Sequence, residues 1–109
     1  MNKDNIIFVA DYIPVGHENA ITRRDLKGIL HISDRRIRRL IEIARLNGTP
    51  IINNGSGYFI ARYDDLEDVL QVNDYIASMR NKETAIRADI GALSQWLSNT
   101  AMEALNSGK

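Results

Sequence analysis

The stretch SDRRIRRLIEIARLNG at residues 33–48 decides how this chain is read. Ser33 is a good helix N-cap, because its hydroxyl accepts a hydrogen bond from a backbone N–H that the first helical turn leaves unpaired. Behind it Ile37, Leu40, Ile41 and Ala44 recur at i, i+3, i+4 and i+7 and form one apolar stripe. Asn47 and Gly48 supply the stop. The charges do not suit an isolated helix. Arg35, Arg36, Arg38 and Arg39 crowd the first turns, where unpaired N–H groups carry roughly +0.5 charge and favour anions. Arg35/Arg38, Arg35/Arg39 and Arg36/Arg39 also stand three or four residues apart, each like-charge pair costing on the order of 0.2–0.5 kcal/mol. A polyanion outside the helix is the simplest compensation.

Upstream, Thr22 is a second N-cap, and Thr22-Arg23-Arg24-Asp25 approximates a capping box with Asp in place of Glu. The helix it opens is expected to bury Leu26, Ile29 and Leu30, with His31-Ile32 as the turn into the next helix. Ala20-Ile21 reads as a short extended piece. Residues 5–13 read as a short buried helix, or, for so short a run, a strand, ended by Pro14 and Gly16. Downstream, residues 50–53 and 57–61 read as two strands joined by Asn54-Gly55-Ser56, a hairpin. Tyr58 and Phe59 are expected on alternate faces, one of them in the core.

From Asp64 to about Asn106 there is no proline, and Asp64, Asp65, Glu67 and Asp68 suit a helix N-terminus. Val69, Val72, Ile76, Met79, Ile86, Ile90, Leu93 and Leu97 follow a three-and-four spacing, interrupted at Glu83 and weakening at Thr100 and Ala104. That is a heptad seam. At ~1.5 Å per residue an unbroken helix there reaches ~64 Å, too long to lie on so small a domain. Either it bends near Asn81 or its stripe is buried by a second chain.

The chain has 109 residues, 44% of them hydrophobic, and zero net charge, so a generally basic coat is excluded. Residues 22–46 nevertheless hold eight basic side chains against Asp25, Asp34 and Glu42, a local positive field. With no cysteine, disulfides, thiolate zinc sites and cysteine nucleophiles are excluded. No run approaches the ~20 apolar residues of a membrane span, and a cytoplasmic protein is expected.

Helix, extended pair, helix, tight turn, helix and hairpin follow one another in the order of a winged helix-turn-helix. The stretch AITRRDLKGILHISDRRIRRLIEIARLNGTPIINNGSGYFIA resembles the winged-helix domain of the biotin-repressor type, also common in small regulatory proteins of Gram-positive phages. The Ser33-capped helix with Arg36 and Ile37, then Arg45-Leu46-Asn47-Gly48, Pro50-Ile51 and Gly57-Tyr58-Phe59 carry the resemblance. It implies a mainly α fold with a small β-hairpin: a winged helix-turn-helix over residues 1–62 and a helical extension over 63–109. It further implies that the Ser-capped helix enters the major groove of double-stranded DNA. Arg35, Arg36 and Arg39 then become the base-edge candidates, since an arginine fork donates to both guanine O6 and N7. Thr22, Arg24, Lys27 and Ser33 become phosphate contacts. Asn54 is the wing's candidate, although Asn-Gly-Ser is also what a tight hairpin requires, and the wing tip lacks Arg or Lys, with only Arg62 following.

Other polar residues have local explanations. Arg38 has Asp34 and Glu42 four residues away on either side, an intrahelical salt bridge in prospect. Arg45 suits a helix C-terminus and reads as structural. His17 and His31 have no partner set for a metal, Trp96 reads as interface packing, and no phosphate loop, carboxylate pair or nucleophile elbow appears. The expectation is a non-enzymatic, cofactor-free transcriptional regulator of a phage or mobile element. It would dimerise through the seam at residues 69–97. The alternative is a winged-helix adaptor contacting a host or phage protein, such as a phage replication factor or an inhibitor of a host complex.

Overall fold

The computed structural model describes residues 8–107, and the chain falls into two compact units, one ending at Tyr75 and one beginning at Ile76. The fold is mainly helical, with a two-stranded antiparallel hairpin and a long C-terminal helix. Helix α1 (Arg23–Leu30) starts at Thr22, whose hydroxyl accepts the Asp25 N–H at 3.0 Å. It ends on His31, which is left-handed at φ 54° and returns its N–H to the Lys27 carbonyl at 2.9 Å. A non-glycine residue there carries strain of about 1 kcal/mol. Two residues later Ser33 caps helix α2 (Asp34–Leu46), its hydroxyl accepting the Arg36 N–H at 3.2 Å. Asn47 closes α2, and Gly48, at φ 96°, turns the chain away.

Ile37 and Ile41 of α2 are buried against Leu26 of α1, with Leu40 and Ala44 half-buried on the flanks. Val9, Ile13, Ile51 and Tyr58 complete this core. Two expectations need correction. Ile29 is 52% exposed, because an eight-residue helix packing through Leu26 and Leu30 presents too narrow a face to bury it as well. Residues 9–12 form a 3-10 turn (Val9–Tyr12) in place of an α-helix or strand, tightened by the Asp11 N–H to the Phe8 carbonyl; the start of that stretch lies outside the described residues.

Strands β1 (Ile51–Asn53) and β2 (Tyr58–Ile60) pair with Ile51 opposite Ile60 and Asn53 opposite Tyr58. The outer edge of β2 is not left open. Ile21 exchanges backbone hydrogen bonds with Tyr58 at 2.9 and 2.7 Å, and the Ile60 N–H reaches the Pro14 carbonyl while its carbonyl takes the Gly16 N–H. Short bridges thus satisfy groups that a bare edge strand would expose. Alternation predicts one covered face, yet Tyr58 and Phe59 are both buried, as are Ile51 and Ile52. The face away from the helical core is closed as well: Phe59 meets the His17 ring edge-on at 6.5 Å.

Gly57 is where the hairpin touches the start of α1. Its φ is 146°, and a Cβ there would run into the Ile21 carbonyl and the Thr22 nitrogen, both backbone atoms that cannot turn aside. At the tip, Asn53 and Asn54 accept the Gly55 and Ser56 N–H groups at 2.8 and 3.0 Å, the side-chain turn that Asn favours.

Helix α3 (Leu66–Ser107) is 42 residues long and has no interruption at Asn81 or Glu83. Asp65 caps it, accepting the Asp68 N–H at 3.0 Å. Its first turns belong to the first unit, tied there by Asp68, by Gln71 and by Tyr75, whose ring lies beneath the Arg45 guanidinium at 4.9 Å. From Ile76 onward every side chain described in the helix is exposed.

Candidate functional site

Two clusters of charged side chains emerge, one open and one closed. The open one lies where α1 turns into α2. Arg24, Lys27, Gly28, His31, Ile32 and Ser33 line a shallow groove, beside the N–H groups that begin α2. Each capping hydroxyl has used an acceptor lone pair and keeps its own proton to donate. Asp34, in the first turn of α2, faces back to α1, 3.7 Å from Arg23 Nε and 4.0 Å from Lys27 Nζ. Such exposed pairs contribute about 0–1 kcal/mol.

That placement overturns the expected neutralisation of Arg38. Asp34 is turned toward Arg23 and Lys27, and among the described residues Arg38 makes no ion pair with it or with Glu42. Arg35, Arg38 and Arg39 are all exposed, without acidic partners among the described residues; Arg35 and Arg39 lie opposite Ile37 and Ile41, and Arg38 lies on the flank of that apolar stripe. Arg36 is half-buried and already partnered. Arg45 is structural: its Nε donates to the Ile51 carbonyl at 2.6 Å and it stacks on Tyr75. Asn54, besides its turn bond, donates through Nδ2 to Gln71 Oε1 at 3.0 Å, so its side chain is turned toward α3.

The closed cluster surrounds Asp68, which is fully buried. Arg62 N and Nε donate to its Oδ2 at 2.8 and 2.9 Å, while His17 N donates to Oδ1 at 3.0 Å. His17 Nδ1 lies 2.6 Å from the same Oδ1. Arg62 also reaches Glu18 at 2.7 Å and Asp65 at 3.3 Å. One carboxylate therefore joins the 3-10 turn at His17–Asn19, the chain leaving the hairpin and the first turn of α3.

The Arg62 guanidinium, with the N–H groups of Arg62 and His17, holds the Asp68 carboxyl well below the usual carboxylate range. The hydrogen bond to Asp68, with Glu18 and Asp65 nearby, raises His17 above its ordinary value. His17, Glu18 and Asp68 converge closely enough to suggest a cation site, their candidate ligand atoms within 4.8 Å of one another. Arg62 already serves as the cation there. Sequence reasoning assigned Asp68 only to a helix start and Arg62 only to the segment after the wing. The missed signal was a carboxylate at the third position of a helix with an arginine six residues before it, too common a pattern to stand out.

The seam residues lie along α3. Val69 and the half-buried Val72 fall in the first unit. Ile76, Met79, Ile86, Ile90, Leu93 and Leu97 fall in the second, between 43% and 67% exposed. No helix among the described residues is long and apolar enough to cross a membrane. Compared with protein-family models, with curated proteins and with solved structures, the chain matches none.

Proposed function

We propose that the first unit is a winged helix-turn-helix that binds double-stranded DNA through α2. The chain acts as a homodimeric transcriptional regulator, the phage or mobile-element setting following from the sequence resemblance. The observation that carries this reading is the row of exposed arginines on α2, Arg35, Arg38 and Arg39, with no acidic partner among the described residues, beside a groove lined by Arg24, Lys27 and Ser33. A helix of about 10–12 Å diameter fits a major groove, and unpaired arginines on its outer face supply both base-edge and phosphate contacts. The bridges from Ile21 and Val15 to β2 support the reading, because they fix the hairpin beside the two helices. Three departures from the sequence expectation follow: Arg38 joins the contact set, Arg36, half-buried and partnered, leaves it, and Asn54 leaves it for the turn and Gln71.

Selection of bound sites from random DNA, followed by titration of the enriched site, tests the proposal. An inverted repeat is expected to enrich. Arg35→Ala and Arg39→Ala are each expected to weaken the selected site by about 1–3 kcal/mol, and Arg24→Ala or Lys27→Ala to reduce the salt slope by about one. Absence of any binding at low salt overturns the proposal.

A further inference from the structure

The second unit begins at Ile76, and every side chain described from there to Asn106 in α3 is exposed. Most helical stability in proteins comes from packing an apolar face, and this helix carries Ile76, Met79, Ile86, Ile90, Leu93 and Leu97 along one face, all exposed. Three features constrain what can cover it. Glu83 interrupts the apolar seam and is held within its own helix by Arg87, Nη2 to Oε1 at 2.8 Å. Lys82 and Asp89 flank one side of the seam together with Trp96 and Glu103, and Arg80 and Arg87 flank the other with Ser94 and Ala101.

A parallel, in-register pair sets Glu83 against its own copy and places Lys82 beside Arg87 of the second copy, five residues along, twice over. Antiparallel registers differ by whole heptads, since seam positions must meet. One sets Arg80 beside Arg87 of the second copy; the next sets Arg87 against Arg87 and Asp89 against Asp89; a shorter overlap sets Asp89 beside Glu103. Only one extensive register avoids all of these. It pairs Ile90 with Leu93, Ile86 with Leu97, Met79 with Ala104 and Glu83 with Thr100, and brings Lys82 beside Glu103 of the second copy. Its span is residues 76–107, the part of α3 that lies in the second unit.

We infer that residues 76–107 pair antiparallel with the same residues of a second copy, with Glu83 facing Thr100 and Lys82 facing Glu103. The inference rests on the dimer in the proposed function and adds its direction and register. The pair keeps a two-fold axis, so the two first units remain symmetry-related.

The natural chain has no cysteine, so introduced thiols report cleanly. Full-length Glu83→Cys and Thr100→Cys are prepared separately, mixed after partial denaturation, refolded and bridged with a short bismaleimide. The expected result is a covalent dimer in the mixture and little from either variant alone. A covalent dimer from Glu83→Cys alone overturns the antiparallel register while leaving the dimer standing. Sedimentation of the natural chain as a monomer at high concentration overturns both the inference and the dimer. Charge reversal gives an independent sign: Lys82→Glu weakens association several-fold and Glu103→Lys restores it, as expected for two flanking ion pairs. In a parallel pair Lys82→Glu would strengthen association instead, through Arg87.

Discussion

Replacing Asp68 with alanine is expected to destabilise the first unit more than any single arginine change on α2. The carboxylate is fully buried and accepts from Arg62 N, Arg62 Nε and His17 N. Removing it leaves two backbone N–H groups without their acceptor and a guanidinium without its nearest anion. Breaking a buried pair from one side costs about 3–5 kcal/mol. Arg62 keeps Glu18 at 2.7 Å and Asp65 at 3.3 Å and is 31% exposed, which sets the expected loss near the lower end, about 3 kcal/mol. In a domain of this size that lowers the melting temperature by more than about 10 °C. The probe must report on the right unit. Trp96, the sole tryptophan, lies on α3 in the second unit, and far-UV circular dichroism is dominated by α3. Urea unfolding followed by the methyl resonances of Ile37 and Ile41 reports the core directly. Crossing Asp68→Ala with Arg62→Met isolates the pair, with a coupling of about 1–3 kcal/mol expected. A loss below about 0.5 kcal/mol for Asp68→Ala, the range of an ordinary surface change, refutes the reasoning.

Protonation at the same cluster gives a pH dependence of definite sign. Asp68 is held below its ordinary value, so its contribution is whole above the unfolded carboxyl value of about 3.9 and is lost as pH falls through the lowered folded value. His17 is raised, so its contribution is whole below the unfolded value of about 6.5 and is lost as pH rises through the raised folded value. Imidazole NMR should show His17 titrating above 6.5 in the natural chain and moving back toward that value in Asp68→Asn; titration at or below 6.5 in the natural chain contradicts the ion pair. Gly57→Ala is expected to cost about 1–3 kcal/mol through overpacking and to abolish hydrogen-exchange protection at the Ile21 and Tyr58 amides, which bond each other across the contact. Gly28→Ala, within α1 and with open space around its Cβ, is the control and should leave those two amides protected.

Much of the local structure was legible because it is decided by near neighbours. Thr22 and Ser33 act as caps through bonds that span three residues, Asn47-Gly48 ends α2, and Asn53 and Asn54 bend the hairpin through bonds to residues two positions on. The stripe at Ile37, Leu40, Ile41 and Ala44 faces the core because helical periodicity leaves it no other way to leave water. The arginines of α2 were legible as a charge anomaly. Which of them are available was not: Asp34 had equal claims to Arg38 within its own helix and to Arg23 and Lys27 across the turn, and the approach of α1 decided for the latter.

By itself, then, the sequence determined where α1 and α2 begin and end, where the hairpin turns, which face of α2 is apolar and that the apolar seam of α3 is broken at Glu83. These follow from bonds and periodicities within a few residues. Only the tertiary structure decided that Asp68 is buried, since its partner His17 stands 51 positions away. It also decided that both faces of the hairpin are covered and that Gly57 admits no Cβ. Each depends on how closely two distant segments of backbone approach, a distance that burial, hydrogen bonding and charge set together and that no short stretch of residues specifies alone.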